Sequence, residues 1–249
     1  DVGSDSVKLI KKKIVAILAG EGNSNSVSSL NYGAIWHFFE QELKYPLTHL
    51  DVENFENIEL DEFDTLIIPR GYYGTLGNEK NLEKIKFWVS KGGSLIAFEN
   101  AIRIFTNKDG FSIKLKRNKS ENNQEDIKYE DLNRNRIQNY LSGAIFKVNL
   151  DNTHPLAFGY PNEYYSLKTS TSTYENLNRG YNVGKINEDD DSTIGFVGDN
   201  IKDKFKNSLV FGHERLGRGN MIYFTDNIMF RSFWENGKLF LVNSIFFVN

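Results

Sequence analysis

The sequence predicts an α/β protein: a doubly wound, mostly parallel sheet flanked by helices, with a β-rich C-terminal third. Three observations carry this. Apolar runs of strand length occur at residues 14–19, 66–69 and 95–98, the pattern of strands buried on both faces. Helical patterns with one apolar face lie between them, as right-handed crossovers in a parallel sheet require. The strands also leave into glycine or polar exits, at Gly20-Glu21-Gly22, Arg70-Gly71 and Glu99-Asn100.

In chain order, the first strand covers residues 14–19, and a polar stretch (23–26) leads to Ser28 or Ser29 as cap of a helix over 30–43. Residues 46–51 and 63–69 are the next strands. A helix over 79–90 places Leu82, Ile85 and Val89 on one face and stops at Gly92-Gly93, where glycine accepts the left-handed backbone of a helix end. The strand 94–98 follows, and the expected architecture is organised around it. Residues 107–126 are so polar that a mobile insertion is expected inside a single domain spanning 8–249, with 1–7 a linker remnant. A polar helix (127–140), a strand (143–150) and a turn in which Pro155 opens a short helix come next. Strands are expected at 165–173 and 193–197. Residues 208–214 and 220–225 form a hairpin across the glycine-containing loop 215–219, and a last helix covers 237–247.

Composition excludes some functions. The 249 residues contain no cysteine, which removes disulfides and thiolate chemistry and leaves the compartment open. Thirty basic residues against thirty-three acidic ones give no basic stripe, so no nucleic-acid partner is expected. Lys11-Lys12-Lys13 is a solvated strand entry. No apolar run approaches the roughly 20 residues that span a bilayer, so no membrane span is expected either.

If the sheet is parallel, its strand exits converge on one edge and line a shallow crevice. The candidate residues there are Gly20, Glu21, Arg70, Gly71, Glu99 and Asn100, with Asp226 and Asn227 as a further wall. Such acidic, basic and amide groups suit a small polar ligand. His37 and Glu40 share a helix face at metal-ligand spacing, with His154 far downstream, but their neighbours read as a core-facing stretch and no metal is assigned. No Gly-x-Ser-x-Gly elbow is present, Ser94 precedes its strand, and His213-Glu214 is read as a sheet-edge pair.

Several segments together resemble a family. They are Ala19-Gly20-Glu21-Gly22, Ile35-Trp36-His37-Phe38-Phe39-Glu40, residues 143–148, residues 151–160, and residues 222–227 with 230–234. They are similar to the class I glutamine amidotransferase-like domain, of flavodoxin-like fold, that follows the catalytic domain in certain bacterial zinc carboxypeptidases of the carboxypeptidase A type. More distantly, His154-Pro155-Leu156 and His213 before Gly217 resemble trehalose-utilisation-type proteins. In active amidotransferases the strand exit carries Gly-x-Cys-x-Gly, and the matching residues here are Ala97-Phe98-Glu99-Asn100-Ala101. The resemblance therefore implies a vestigial elbow at Glu99 and Asn100 and no catalytic residue. It also implies an accessory or interaction domain whose partner is a zinc peptidase domain of the same parent chain, with zinc only there, in a secreted or periplasmic protein. A carbohydrate- or peptide-binding module is the alternative, as is a hydrolase pairing Glu99 with His213 or Asp226. If a crevice persists, Glu99 is expected at its floor on a strained backbone, bonded to an amide or to Arg70.

Overall fold

A computed structural model describes residues 9–116, 128–189 and 192–248. The first half runs β1 (Val15–Ala19), β2 (Asn25–Val27), α1 (Ser29–His37), β3 (Thr48–Asp51), β4 (Thr65–Ile68), β5 (Gly71–Tyr73), α2 (Glu79–Lys91) and β6 (Ser94–Phe98). The second half runs α3 (Leu132–Gln138), β7 (Leu141–Leu150), β8 (Glu163–Lys168), β9 (Tyr181–Ile186), β10 (Thr193–Val197), α4 (Asp199–Phe205), β11 (Ser208–Leu216), β12 (Gly219–Phe224) and α5 (Glu235–Phe246).

One sheet dominates. Five of its strands are parallel, in the order β3-β1-β4-β6-β12, the flavodoxin-like arrangement, and β11, β9, β7 and β10 continue it from β12 with antiparallel pairing. The period of two along β1, β4 and β6 sorts side chains onto two cores. Val15, Ile17, Ile67, Ile96 and Phe98 meet α1 and α5 on one face, while Ala16, Leu18, Leu66, Ile68, Leu95 and Ala97 meet α2 on the other. Both faces are thereby covered, which explains why these strands are continuously apolar in sequence.

The structure departs from the sequence reading in several places. The first helix does not run evenly to residue 43: after His37 it widens into a π-helical turn, Phe38–Leu43, closed by Lys44 at φ 51°. That turn keeps Phe38 and Phe39 in the core while Trp36, His37 and Glu40 face solvent, so His37 and Glu40 are not part of a buried face. The expected insertion starts too early. Phe111, Ser112 and Ile113 are buried, and Leu115 bridges to Tyr174, because these few apolar residues suffice to seat the segment. Residues 117–126, like 1–7, lie outside the described residues. Polar β2 and β5, absent from the reading, pair as a two-stranded ribbon, and β9 carries too little periodicity to have been expected.

His213 and Glu214 sit inside the sheet, not at its edge, since β11 lies between β9 and β12. Glu214 has a structural task. Its carboxylate accepts the Ser112 N–H at 3.0 Å, the Ser112 hydroxyl, and the Tyr223 hydroxyl at 2.5 Å, fastening the 111–115 segment onto the sheet. Removing it would strand buried donors. Glu214→Ala is expected to lower unfolding free energy by about 2–4 kcal/mol in urea titration; a loss below roughly 1 kcal/mol would contradict this anchoring role.

Candidate functional site

The chain leaves β6 through Glu99, whose φ is 49°, a left-handed conformation costing a non-glycine residue on the order of 1–2 kcal/mol. This is the sharp elbow expected at the carboxyl end of the central strand. The Glu99 side chain is buried, with Oε1 held 3.4 Å from Arg70 Nη1, and its Oε2 has no hydrogen-bond partner among the described residues. Burial pushes its carboxyl up to about 7; Arg70 pulls it down and the nearby charge of Asp226 adds to the rise. Near neutrality this group is therefore poised between acid and carboxylate.

Asp226 follows β12 at the same edge and is also buried. It is fully partnered. Lys168 Nζ donates to both carboxylate oxygens at 2.9 and 3.1 Å, and the Ser166 hydroxyl donates at 2.6 Å. Lys168 is itself only 1% exposed and packs over the Phe205 ring. Alternating charges (Arg70, Glu99, Asp226, Lys168) thus run beneath the strand ends.

Above them lies an open crevice of about 440 Å³. Of the residues expected in it, Arg70, Gly71, Asn100 and Asn227 line it. Glu99 and Asp226 do not line it and are buried at the strand exits. Gly20 and Glu21 stand outside: the backbone turns there at φ 98°, Glu21 bridges to Ser26, and the ribbon of β2 and β5 supplies the wall instead. That ribbon needs Gly71, since a Cβ there would fall 2.6 Å from the Ser26 carbonyl oxygen. Sequence reasoning missed Ser26, Ser28, Asn31, Tyr72, Thr169 and Arg231, which also line the crevice. Asn31 sets its shape by accepting the Arg70 N–H at 2.8 Å and donating to Asn227 at 3.2 Å. A legible signal existed for Arg231: residues just after a parallel strand's exit at Asp226-Asn227 must start at that edge.

His213 is not at this edge. Its ring lies within a hydrogen-bond chain that can be assigned end to end. The Leu156 N–H donates to His154 Nδ1 at 3.0 Å, so His154 Nε2 carries the proton toward His213 Nδ1 at 2.9 Å. His213 Nε2 donates to Asn220 Oδ1 at 2.9 Å, and Asn220 Nδ2 donates to Ser94 at 3.2 Å. Asn220 and Ser94 are register partners at the starts of β12 and β6. The chain therefore meets the opposite end of the strand that delivers Glu99, a strand-length of roughly 15 Å away. Glu99 and His213 cannot act as a pair. Burial lowers both imidazoles, His154 to about 4, and their four nitrogens are all engaged. His37 is exposed with Glu42 at 3.7 Å, and among the described residues no group of three or more potential ligands is gathered for a metal. No helix among them is long and apolar enough to cross a membrane.

The raised carboxyl of Glu99 predicts a sign. The folded state holds a proton that the unfolded chain releases above about 4.5, so the stability of the wild type relative to Glu99→Gln should fall as pH rises from 4.5 to 7 and level off beyond. The full change is on the order of 3 kcal/mol. Arg70, Asp226 with Lys168, and Tyr174, whose hydroxyl lies 3.4 Å from the Glu99 carbonyl, are the polar groups around it and remain in the variant. Parallel melting curves for both proteins from pH 5 to 8 would check this. A constant difference would show a solvated Glu99.

No protein-family model and no curated protein matches the sequence. Solved structures do share its shape. A protein described as ThuA-like from Parabacteroides merdae superposes with a TM-score of 0.56 at 10% identity, over 94% of this chain and 89% of the other. A protein described as a GMP synthase subunit from Thermoplasma acidophilum gives 0.53 at 10% identity, over 94% and 92%. The β-galactosidase of Bacillus circulans sp. alkalophilus gives 0.52 at 11% identity, over 94% of this chain but 30% of that enzyme. At such identities the likeness is one of fold, and it brings no association with a carboxypeptidase. The chain has the flavodoxin-type α/β fold shared by ThuA-like and glutamine amidotransferase-like proteins.

Proposed function

We propose that this chain is a non-catalytic amidotransferase-like module whose crevice binds a ligand without transforming it. The observation that carries the reading is the residue at the elbow. Glutamine hydrolysis in this fold needs a thiolate that accepts the acyl group, and Glu99 is a buried carboxyl tied to Arg70 in its place. A carboxylate there is a poor acyl acceptor, and the sequence has no cysteine to substitute. Acid-base work by Glu99 with Asp226 is disfavoured too, because Lys168 and Ser166 already occupy the Asp226 oxygens.

The wider setting we propose is the one implied by the sequence resemblance: an accessory domain of a secreted or periplasmic bacterial zinc carboxypeptidase, with zinc confined to the peptidase domain. Support comes from the segments around residues 143–160 and 219–234. A zinc peptidase domain in frame upstream of Asp1 would support this setting, and an unrelated domain there would contradict it.

Catalysis is tested directly. The wild type should release no ammonia from glutamine and hydrolyse nothing in a broad glycoside, ester and peptide screen. Glu99→Cys should also lack glutaminase activity, because an elbow thiol without a placed base and oxyanion donors is insufficient. Hydrolysis of any substrate that disappears in Glu99→Gln would overturn the non-catalytic reading.

A further inference from the structure

The crevice sets two guanidinium groups and two amide donors beside the hydroxyl-bearing Ser26, Ser28, Tyr72 and Thr169. Asn100 and Asn227 line it with their amide oxygens committed: Asn100 Oδ1 accepts the Gly71 N–H at 3.0 Å, and Asn227 Oδ1 accepts the Met229 N–H at 3.0 Å. Of a side-chain amide's two heteroatoms only the oxygen can accept from a backbone N–H, so both amide orientations are fixed. Each Nδ2 remains a donor with no partner among the described residues.

Two guanidinium groups join them. Arg231 stands at φ 50° and Ser232 at φ 59°, consecutive left-handed non-glycine residues at the point where the chain passes the crevice. Its guanidinium packs 5.4 Å from the Phe230 ring, and no carboxylate among the described residues pairs with it. Arg70 is half-exposed, and among the described residues its one ion-pair partner is Glu99 at the long distance of 3.4 Å. Among the described residues no aspartate or glutamate lines the crevice. Leu30, Tyr72 and Phe230 add apolar surface.

The lining hydroxyls can donate to or accept from a neutral polyol, but two guanidinium groups and two amide N–H donors with no lining carboxylate among the described residues favour an anion, which takes up donors and positive charge together. The volume of about 440 Å³ suits a small molecule. We propose that the crevice binds a small organic oxyanion, a carboxylate or phosphate ester on a compact polar ring or chain. In this mode Arg231 and Arg70 neutralise the charge and Asn100 and Asn227 donate to its oxygens. The proposal rests on the reading of this crevice as a binding site and names the class of its ligand.

Calorimetric titration of the intact chain with D-glucuronate, D-glucose 6-phosphate and D-glucose tests it. At least one of the two acids should bind saturably and glucose should not, and the acid preferred tells carboxylate from phosphate. Arg231→Gln should weaken binding about tenfold or more, with Arg231→Lys falling between; Arg231 is exposed, so unchanged melting curves are expected to certify both folds. Glucose binding as well as the acids, neither acid binding at millimolar concentration, or an indifferent Arg231→Gln would each overturn the proposal. Those outcomes leave the non-catalytic reading intact. Hydrolysis of a probe in the same samples would defeat that reading while leaving the binding result in place.

Discussion

Burying carboxylates at the carboxyl edge of a parallel sheet is the constraint on which this molecule's organisation depends. An unpaired buried charge is costly enough that it must be matched or neutralised. Asp226 is matched by Lys168 and Ser166, both from β8, so the ion pair ties the antiparallel extension to the end of β12. Glu99 is matched incompletely by Arg70 and is pushed toward its neutral form. The two solutions differ because Arg70 also belongs to the crevice, half in solvent, while Lys168 is sealed.

The same arrangement separates two polar systems that sequence alone places within reach of each other. Glu99, Asp226 and the crevice occupy one end of the central strands, and the His154-His213-Asn220-Ser94 chain occupies the other. Every ring nitrogen of that chain is satisfied within the protein. It therefore reads as a buried polar network that fixes how the 151–157 loop seats on the sheet. The crevice, by contrast, keeps donors on Asn100, Asn227 and Arg231 that no acceptor among the described residues takes up.

Most of the parallel half was legible because strands buried on both faces must be apolar throughout, as at residues 15–18 and 95–98, and because Gly92 marks a helix end. The elbow at Glu99 was legible for a related reason: a strand exit followed at once by a helical turn leaves few backbone conformations. The ribbon of β2 and β5 was not, since Asn25-Ser26-Val27 is held by side chains distant in sequence, including the 2.8 Å bond from Asn25 to Glu53. That hidden ribbon is what excludes Gly20 and Glu21 from the crevice. The sheet-edge reading of His213-Glu214 failed because a hairpin strand looks like an edge until β9, with its weak periodicity, is seen to cover it.

The central claim is that the exit of β6 holds a buried carboxyl bonded to arginine. Carbon-13 NMR titration of the side-chain carboxyl of Glu99, assigned by comparison with Glu99→Gln, measures it most directly. A midpoint near 7 is expected, together with a downward shift if Asp226 is replaced by asparagine. A midpoint near 4.5, insensitive to Asp226, would place Glu99 in solvent and contradict the claim.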